Sequence, residues 1–143
     1  MTGNSMDGSR VLLVEDNADD EALTVRALRK LDPSCIVDVA RDGQQAVDYL
    51  GGEGVPRPDL ILLDLKLPKL NGIEVLRFAR SHGVMKTVPT VMLTSSDEPS
   101  DLMGSYEAGA SGFVRKPVGY EEYVDVVRAL GRFWLQVNLR PPR

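Results

Sequence analysis

Short aliphatic runs recur along the chain, and each is followed by a longer stretch in which apolar residues have helical spacing. This alternation is typical of βα units, whose strands lie parallel in one sheet. Three runs are apolar at every position, as expected of central strands covered on both faces, whereas the run with Asp38 is more typical of a sheet edge. The predicted strands are 10–15, 35–40, 59–63, 90–94 and 112–116.

The stretches after the strands each predict a helix. Pro33 prevents the first helix from continuing, and Pro99 suits the first turn of the fourth. In the fourth helix, Leu102, Met103 and Tyr106 are predicted to face the core. The last helix has an unusually wide apolar stripe, formed by Tyr123, Val126, Val127, Leu130, Phe133, Trp134 and Val137.

Five such units predict a three-layer α/β fold, a doubly wound (βα)5 arrangement with an open five-stranded parallel sheet rather than a closed barrel. One domain at 10–137 accounts for them, with a flexible arm at 1–9 and a short tail at 138–143. Ligands bind such sheets beyond the carboxyl ends of the strands. The candidate chemistry therefore narrows to Glu15-Asp16, Asp64, Thr94-Ser95 and Lys116-Pro117.

Composition narrows the choice of function. The 143 residues carry a formal net charge of −4, which gives no electrostatic reason to expect nucleic acid binding. The longest aliphatic runs have four residues, far fewer than the roughly 20 that a membrane span requires, and the polar start is unlike a signal peptide. Cys35 is the single cysteine, so we expect a reducing cytoplasm and predict that this side chain packs in the core.

Three carboxylates, a hydroxyl and an ammonium follow the predicted strands. Each alone has a simpler explanation, such as helix capping by Glu15 or Asp16 or solvation of Lys116, but their joint placement at one edge of the sheet is harder to explain in that way. Like charges about 4 Å apart repel by roughly 4 kcal/mol at an effective dielectric near 20. A hard divalent cation such as Mg²⁺ relieves this repulsion and prefers oxygen ligands, so the sequence predicts a metal site.

A carboxylate beside a metal ion and a fixed ammonium suits phosphoryl transfer, because catalysis there consists mostly of positioning groups and neutralising charge. Asp64 would be the nucleophile. Thr94 and Lys116 would then bind oxygens of the resulting acyl phosphate.

The segments VLLVEDN, DLILLDLKLPKLNG, VPTVMLTSS and GASGFVRKP together resemble the receivers of bacterial two-component response regulators. The resemblance covers about residues 10–130 and implies a flavodoxin-like sheet with strand order 2-1-3-4-5. It also implies a phosphoacceptor switch that catalyses only its own phosphorylation and dephosphorylation, with a sensor histidine kinase as donor and Asp64 as acceptor. The implied ligands of Mg²⁺ or Mn²⁺ are Glu15, Asp16, Asp64 and the main-chain carbonyl of Lys66.

The same resemblance implies two further features. The Lys116–Pro117 peptide bond is expected to be cis, an isomer that lies only about 0.5–1 kcal/mol uphill before proline. Phe113 corresponds to a switch aromatic, so phosphorylation would draw Thr94 toward Asp64 and let the Phe113 ring rotate inward. The alternative is that Phe113 is a plain core residue.

The apolar stripe of the last helix exceeds what covering one sheet face requires. We therefore predict a homodimer, because large exposed aromatic patches usually mark interfaces. The alternative is a stripe that is fully buried within the chain. The interface candidates are Tyr123, Val127, Leu130, Phe133 and Trp134.

The early segment VEDN and the late segment LGRFWL are similar to the small stand-alone receivers that accompany bacterial and cyanobacterial phytochrome histidine kinases. This narrower resemblance implies that the phosphodonor is a bacteriophytochrome. It also implies that the signal passes to another, unidentified protein.

Three other functions remain open. An aspartate-nucleophile phosphatase also uses a strand-end carboxylate with Mg²⁺, but Lys66 stands where its D-x-D pattern has the second aspartate. A flavodoxin-like cofactor binder is disfavoured by the acidic loop 15–21, which would repel phosphate. A docking module that is independent of phosphorylation would not need the complete set of site residues. His82, the only histidine, is predicted to lie at the surface.

Overall fold

The computed structural model describes residues 8–142. Most of the predicted arm at 1–9 therefore lies outside the described residues. Ser9 is buried, and its carbonyl oxygen accepts a hydrogen bond from Ile36 N at 2.9 Å. Ser9 thus extends the pairing between the first two strands.

Five strands form one parallel sheet in the order β2-β1-β3-β4-β5. This arrangement confirms the predicted doubly wound α/β fold and the strand order, and it places β2 with Asp38 at an edge. The strands are β1 (Arg10–Val14), β2 (Ile36–Ala40), β3 (Leu60–Leu63), β4 (Thr90–Thr94) and β5 (Gly112–Arg115).

Helices follow every strand, and polar side chains begin several of them. Asn17 accepts a hydrogen bond from Asp20 N at the start of the first helix, and Asn71 and Glu74 form a reciprocal capping box at the third. Pro99 occupies the first turn of the fourth helix, as predicted. The helices are α1 (Ala18–Leu31), α2 (Gly43–Leu50), α3 (Gly72–Arg80), α4 (Pro99–Glu107) and α5 (Tyr120–Gly131), with a 3₁₀ turn at Gly83–Thr87 and a π-helical segment at Arg132–Val137.

The sheet separates two apolar layers because successive side chains of a strand point to opposite faces. Leu12 and Val14 of β1 contribute to the layer beneath α2 and α3, whereas Val11 and Leu13 contribute to the layer beneath α1 and α5. Cys35 is buried in the second layer, as predicted. The strands that are apolar at every position are thus central ones with both faces covered.

The predicted inward face of α4 is wrong. Leu102, Met103 and Tyr106 are 39%, 61% and 49% exposed, and the buried residue of this helix is Ser105. Small residues face the core here: Gly104 lies so close to α3 that an added Cβ would be 3.2 Å from the Ile73 Cδ1 atom. The small residues thus allow α4 to approach α3 closely, and the larger side chains lie at the surface.

The fifth helix buries its apolar stripe within the chain. Tyr123 and Val127 are 3% and 0% exposed, so their assignment to a dimer interface is wrong. Both side chains pack in the layer between α1, α5 and the sheet. Leu130 and Trp134 are half-buried at the margin of this layer, and Phe133 is 47% exposed.

The segment after the π-helical turn folds back onto the amino-terminal end of the sheet. Arg57 Nη2 donates hydrogen bonds to the carbonyl oxygens of Pro141 and Pro142 at 3.0 and 2.9 Å. Arg140 forms an ion pair with the buried Asp59 at 3.2 Å. We call residues 138–142, which these contacts hold, the C-terminal strap.

The structure also bears on two further predictions, the placement of His82 and the lack of a membrane span. His82 is exposed and stacks on Phe78, with 4.4 Å between the ring centroids, as expected of a surface residue. In the part of the chain that the structure describes, no helix has the length and apolar character needed to cross a membrane.

Candidate functional site

A polar cavity of about 340 Å³ opens at the carboxyl ends of the strands. It lies where the topology of a doubly wound sheet predicts a ligand site. Both β1 and β3 contribute acidic residues from their ends, and β5 contributes a lysine. The cavity is lined by Glu15, Asp16, Asn17, Asp20, Asp64, Lys66, Ser95 and Lys116.

Three carboxylates converge because β1 and β3 are neighbours in the sheet. Asp64 N donates to the Val14 carbonyl oxygen at 3.1 Å, which brings the residues after the two strands side by side. Each of Glu15, Asp16 and Asp64 offers a carboxylate oxygen, and these atoms lie within 4.8 Å of one another. Glu15 and Asp64 are 2% and 6% exposed, whereas Asp16 faces the solvent.

Lys116 directs its ammonium group into this cluster. The Nζ atom lies 2.7 Å from Glu15 Oε1, 2.9 Å from Asp64 Oδ2 and 2.9 Å from Asp20 Oδ2. The main chain of Lys116 is fixed as well, because its N–H donates to the Thr94 carbonyl oxygen at 2.7 Å. A buried ammonium requires such partners, since desolvation of an isolated charge is very costly.

The cluster perturbs the ionisation of its members. Burial raises the pKa of Glu15 to about 7; contact with Lys116 opposes this rise and the Asp64 charge adds to it. Burial alone would lower the pKa of Lys116, but its hydrogen bonds to Glu15, Asp20 and Asp64 outweigh burial and raise it. The site therefore stabilises the charged form of Lys116, whereas burial disfavours the charged form of Glu15.

Close backbone packing fixes the loop that carries Asp64. Gly72 N donates to the Leu65 carbonyl oxygen at 2.9 Å. A Cβ atom on Gly72 would collide with the carbonyl oxygen of Asp64 and lie 2.9 Å from Leu65 Cα. Glycine at the start of α3 is thus required by the approach of this helix to the phosphoacceptor candidate.

Thr94 and Phe113 do not line the cavity. Thr94 is fully buried at the end of β4, where its hydroxyl accepts a hydrogen bond from Ser96 N at 3.3 Å, and the neighbouring Ser95 lines the cavity instead. Phe113 is half-buried and packs on the layer beneath α2 and α3. Their roles as phosphoryl ligand and switch remain predictions.

The predicted cis bond at Lys116–Pro117 is wrong in this structure. No peptide bond among residues 8–142 is cis. The trans isomer is the more stable one before proline unless the surroundings select against it. The ammonium of Lys116 reaches the carboxylates from a trans peptide.

Sequence reasoning missed Asp20 as a member of the site. This residue lies in the first turn of α1, where acidic residues commonly favour the helix dipole, so its charge alone carries little information. The signal that was available is its place in the first turn of α1, directly after the acidic pair, which brings it to the cavity that Asp16 also lines.

The donor set fits a hard divalent cation. Glu15, Asp16 and Asp64 supply three carboxylate oxygens of the kind that Mg²⁺ and Mn²⁺ prefer. A cation bound here would oppose the burial that raises the pKa of Glu15, because a nearby positive charge favours the anionic form. Lys66 lines the same cavity, and its carbonyl oxygen remains the predicted main-chain ligand.

The chain resembles known proteins along most of its length. Residues 11–128 match the response regulator receiver domain family. Response regulator Rcp1 of Synechocystis sp. is 34% identical over 135 residues, which cover 92% of this chain and 92% of Rcp1. The solved structure of Mn²⁺-bound Rcp1 has a TM-score of 0.87 at 34% identity and covers 94% of this chain and 99% of that one.

Two further solved structures resemble this chain. The phosphorylated cyanobacterial phytochrome response regulator RcpA has a TM-score of 0.89 at 36% identity, with 94% of this chain and 99% of RcpA covered. The bacteriophytochrome response regulator RtBRR has a TM-score of 0.70 at 46% identity, with 94% of this chain and 84% of RtBRR covered.

Proposed function

The chain belongs to the response regulator receiver domain family, and from that premise we propose that it accepts a phosphoryl group on Asp64 from a sensor histidine kinase, in a reaction that requires Mg²⁺ or Mn²⁺. The observation that carries the proposal is the position of Asp64, buried at the end of β3 beside two further carboxylates and 2.9 Å from the Lys116 ammonium. It is a response regulator of the type to which Rcp1 and RcpA belong.

In the proposed reaction, an Asp64 carboxylate oxygen attacks phosphorus of the donor's phosphohistidine. An O–P bond forms while the P–N bond breaks, and the electron pair stays on the imidazole nitrogen, which takes up a proton from solvent. Lys116 neutralises negative charge at the acceptor from its position 2.9 Å away. When bound by Glu15, Asp16, Asp64 and the Lys66 carbonyl, the divalent cation supplies further positive charge for the phosphoryl oxygens.

The proposed switch involves Thr94 and Phe113. Phosphorylation adds roughly −1.5 to −2 charge units, which attract the Thr94 hydroxyl from the end of β4. Movement of Thr94 would free space for the half-buried Phe113 ring. Comparison of ring positions with and without a phosphate mimic tests this step; a ring that keeps one position excludes Phe113 from the switch.

A bacteriophytochrome is the proposed kinase, and the cytoplasm is the proposed location. RcpA is named as a phytochrome response regulator and RtBRR as a bacteriophytochrome response regulator, and both resemble this chain along most of its length. Phosphoryl transfer from an autophosphorylated bacteriophytochrome to the chain, and its absence from an unrelated histidine kinase, would support this partner. The downstream protein is proposed to recognise the phosphorylated form.

We retain the homodimer as part of the proposal, with a smaller set of contacts. Phe133 is 47% exposed and lies beside the half-buried Leu130 and Trp134. Sedimentation velocity should detect a dimer that Phe133→Ser weakens. Val84→Ser, which removes an apolar side chain that is 63% exposed elsewhere, should leave the dimer intact. A monomer at micromolar concentration, phosphorylated or not, would contradict the dimer.

Incubation with acetyl phosphate and Mg²⁺, followed by intact mass, tests the phosphoacceptor. We expect one phosphate adduct on the unaltered chain and none on Asp64→Asn or without added metal. Asp125→Asn serves as the matched control, because Asp125 is exposed on α5 and does not line the cavity. An adduct on Asp64→Asn would place the phosphate elsewhere and refute the proposal.

A further inference from the structure

Asp20 is a fourth carboxylate in the cavity, and its closest recorded contact is with the lysine. Its Oδ2 atom accepts a hydrogen bond from Lys116 Nζ at 2.9 Å. The Asp20 side chain is 26% exposed, whereas that of Lys116 is 8% exposed. The contact therefore lies at the mouth of the cavity and covers the solvent side of the ammonium.

The hydrogen-bonding capacity of the ammonium is fully used in this arrangement. A lysine side chain has three N–H donors and no acceptor. Glu15, Asp20 and Asp64 each provide one oxygen within 2.9 Å of Nζ. If any one acceptor is lost, one N–H group of this buried ammonium must find another partner.

The three acceptors differ in what else they can bind. Glu15 and Asp64 belong, with Asp16, to the group of carboxylates whose oxygens lie within 4.8 Å of one another. Among residues 8–142, Asp20 is not part of that group. When a cation engages Glu15 and Asp64, their negative charge is shared, and Asp20 is left as the carboxylate whose charge serves Lys116 alone.

We propose that Asp20 is a positioning residue that holds the Lys116 ammonium beside Asp64 when a divalent cation engages Glu15 and Asp64. This inference rests on the proposed phosphoacceptor function and deepens it. Asp20 thus fixes the lysine in the cation-bound state, in which the phosphoryl group arrives.

The local structure gives Asp20 the rigidity that this role requires. Its N–H donates to the Asn17 side chain at 2.9 Å, and its carbonyl oxygen accepts from Thr24 Oγ1 at 2.8 Å. Thr24 is fully buried, and its hydroxyl lies 3.0 Å from the Tyr123 hydroxyl of α5. The first turn of α1 is therefore held by its own cap on one side and by α5 on the other.

The test follows the Lys116 ammonium directly by nitrogen-detected NMR, with and without Mg²⁺, after assignment through Lys116→Arg. The variants are Asp20→Asn and Asp19→Asn; Asp19 is the exposed neighbour, so its substitution removes the same charge without touching the lysine. Without Mg²⁺, we expect slow hydrogen exchange in all three proteins, because Glu15 and Asp64 still hold the ammonium. With Mg²⁺, we expect exchange in Asp20→Asn to be about tenfold faster or more, and unchanged in Asp19→Asn.

Two further measurements separate positioning from other roles. Affinity for Mg²⁺ should be equal in Asp20→Asn and Asp19→Asn, because Asp20 is outside the metal-binding group. At a fixed acetyl phosphate concentration, Asp20→Asn should gain its adduct about tenfold more slowly than Asp19→Asn, because the lysine is misplaced.

Several results would overturn the inference. Slow exchange in Asp20→Asn with Mg²⁺ would show that the lysine needs no such partner, and fast exchange without Mg²⁺ would reduce Asp20 to a general structural contact. A tenfold loss of Mg²⁺ affinity confined to Asp20→Asn would make Asp20 a metal ligand, and equal adduct rates would remove it from the reaction. Absence of any adduct on the unaltered chain would instead refute the proposed function, while the NMR comparison would still report on the lysine.

Discussion

Replacement of Lys116 by methionine removes the positive charge from the site while keeping a side chain of similar length. Glu15, Asp20 and Asp64 then lose a partner within 2.9 Å. Removal of one partner from a buried ion pair typically costs about 3–5 kcal/mol, because the remaining charge is left uncompensated. Side-chain exposure of 2% for Glu15 and 8% for Asp64 places the expected loss in that range, and the more exposed Asp20 contributes least.

Urea unfolding without metal measures this loss in the free energy of unfolding. Lys66→Met is the matched control, because Lys66 also lines the cavity but its side chain is 72% exposed and its ion pair with Asp101 is 3.9 Å long. We expect the control to change stability by less than about 1 kcal/mol. Equal stability changes in the two variants would refute the account of the site as a buried charge cluster.

The loss of stability in Lys116→Met should depend on pH in a definite direction. The pKa of Lys116 is raised in the folded state, so the stability it provides is fully present below its ordinary pKa of 10.5 and is lost only as the pH rises beyond that value. The pKa of Glu15 is raised to about 7, so Glu15 gains a proton as the pH falls below 7 and no longer attracts the ammonium as an anion. The difference in free energy of unfolding between the unaltered chain and Lys116→Met should therefore shrink as the pH falls from 8 to 5.5. Added Mg²⁺ should also reduce it, since the cation replaces the missing charge.

Two further predictions concern the packing around the site. Gly72→Ala should destabilise the chain by about 2 kcal/mol or more and slow adduct formation, because its Cβ meets the Asp64 backbone. Gly104→Ala is the control, since its Cβ meets only a side-chain methyl and should lower the free energy of unfolding by less. Equal losses of stability by urea unfolding would contradict this. Cys35 is 3% exposed and burial raises its pKa to about 11, so a thiol reagent at pH 8 should label it only after unfolding. The free energy of unfolding should also fall as the pH rises from 9 toward 11, because the thiol ionises first in the unfolded chain. Rapid labelling of the folded chain would refute this account.

The sheet could be predicted from sequence because its signals are local and mutually consistent. Four consecutive apolar residues at Leu60–Leu63 are typical of a strand that is covered on both faces, and Asp38 marked the edge strand. The site followed from the fold, since the parallel strands bring Glu15, Asp64 and Lys116 to one edge. Strand position alone therefore predicted most of the residues that line the cavity.

The orientation of α4 and the partners of α5 could not be predicted in the same way. A periodic apolar stripe usually indicates the inward face, but in α4 the small residues Gly104 and Ser105 lie inward and expose Met103. In α5, the apolar pattern does not distinguish burial against α1 from burial against a second copy, and Tyr123 proved to be internal. Asp20 was missed because an acidic residue in a first helical turn is ordinary.

The C-terminal strap has a practical consequence for spectroscopy. Arg57 binds its carbonyl oxygens and its own Arg140 pairs with Asp59, near the beginning of β3 and at the opposite end of that strand from Asp64. A probe attached at Leu139, which is 81% exposed, would thus share the motion of the sheet and serve as a fixed origin for distance measurements. Any change in its separation from a probe on α4 could be attributed to displacement of the helix.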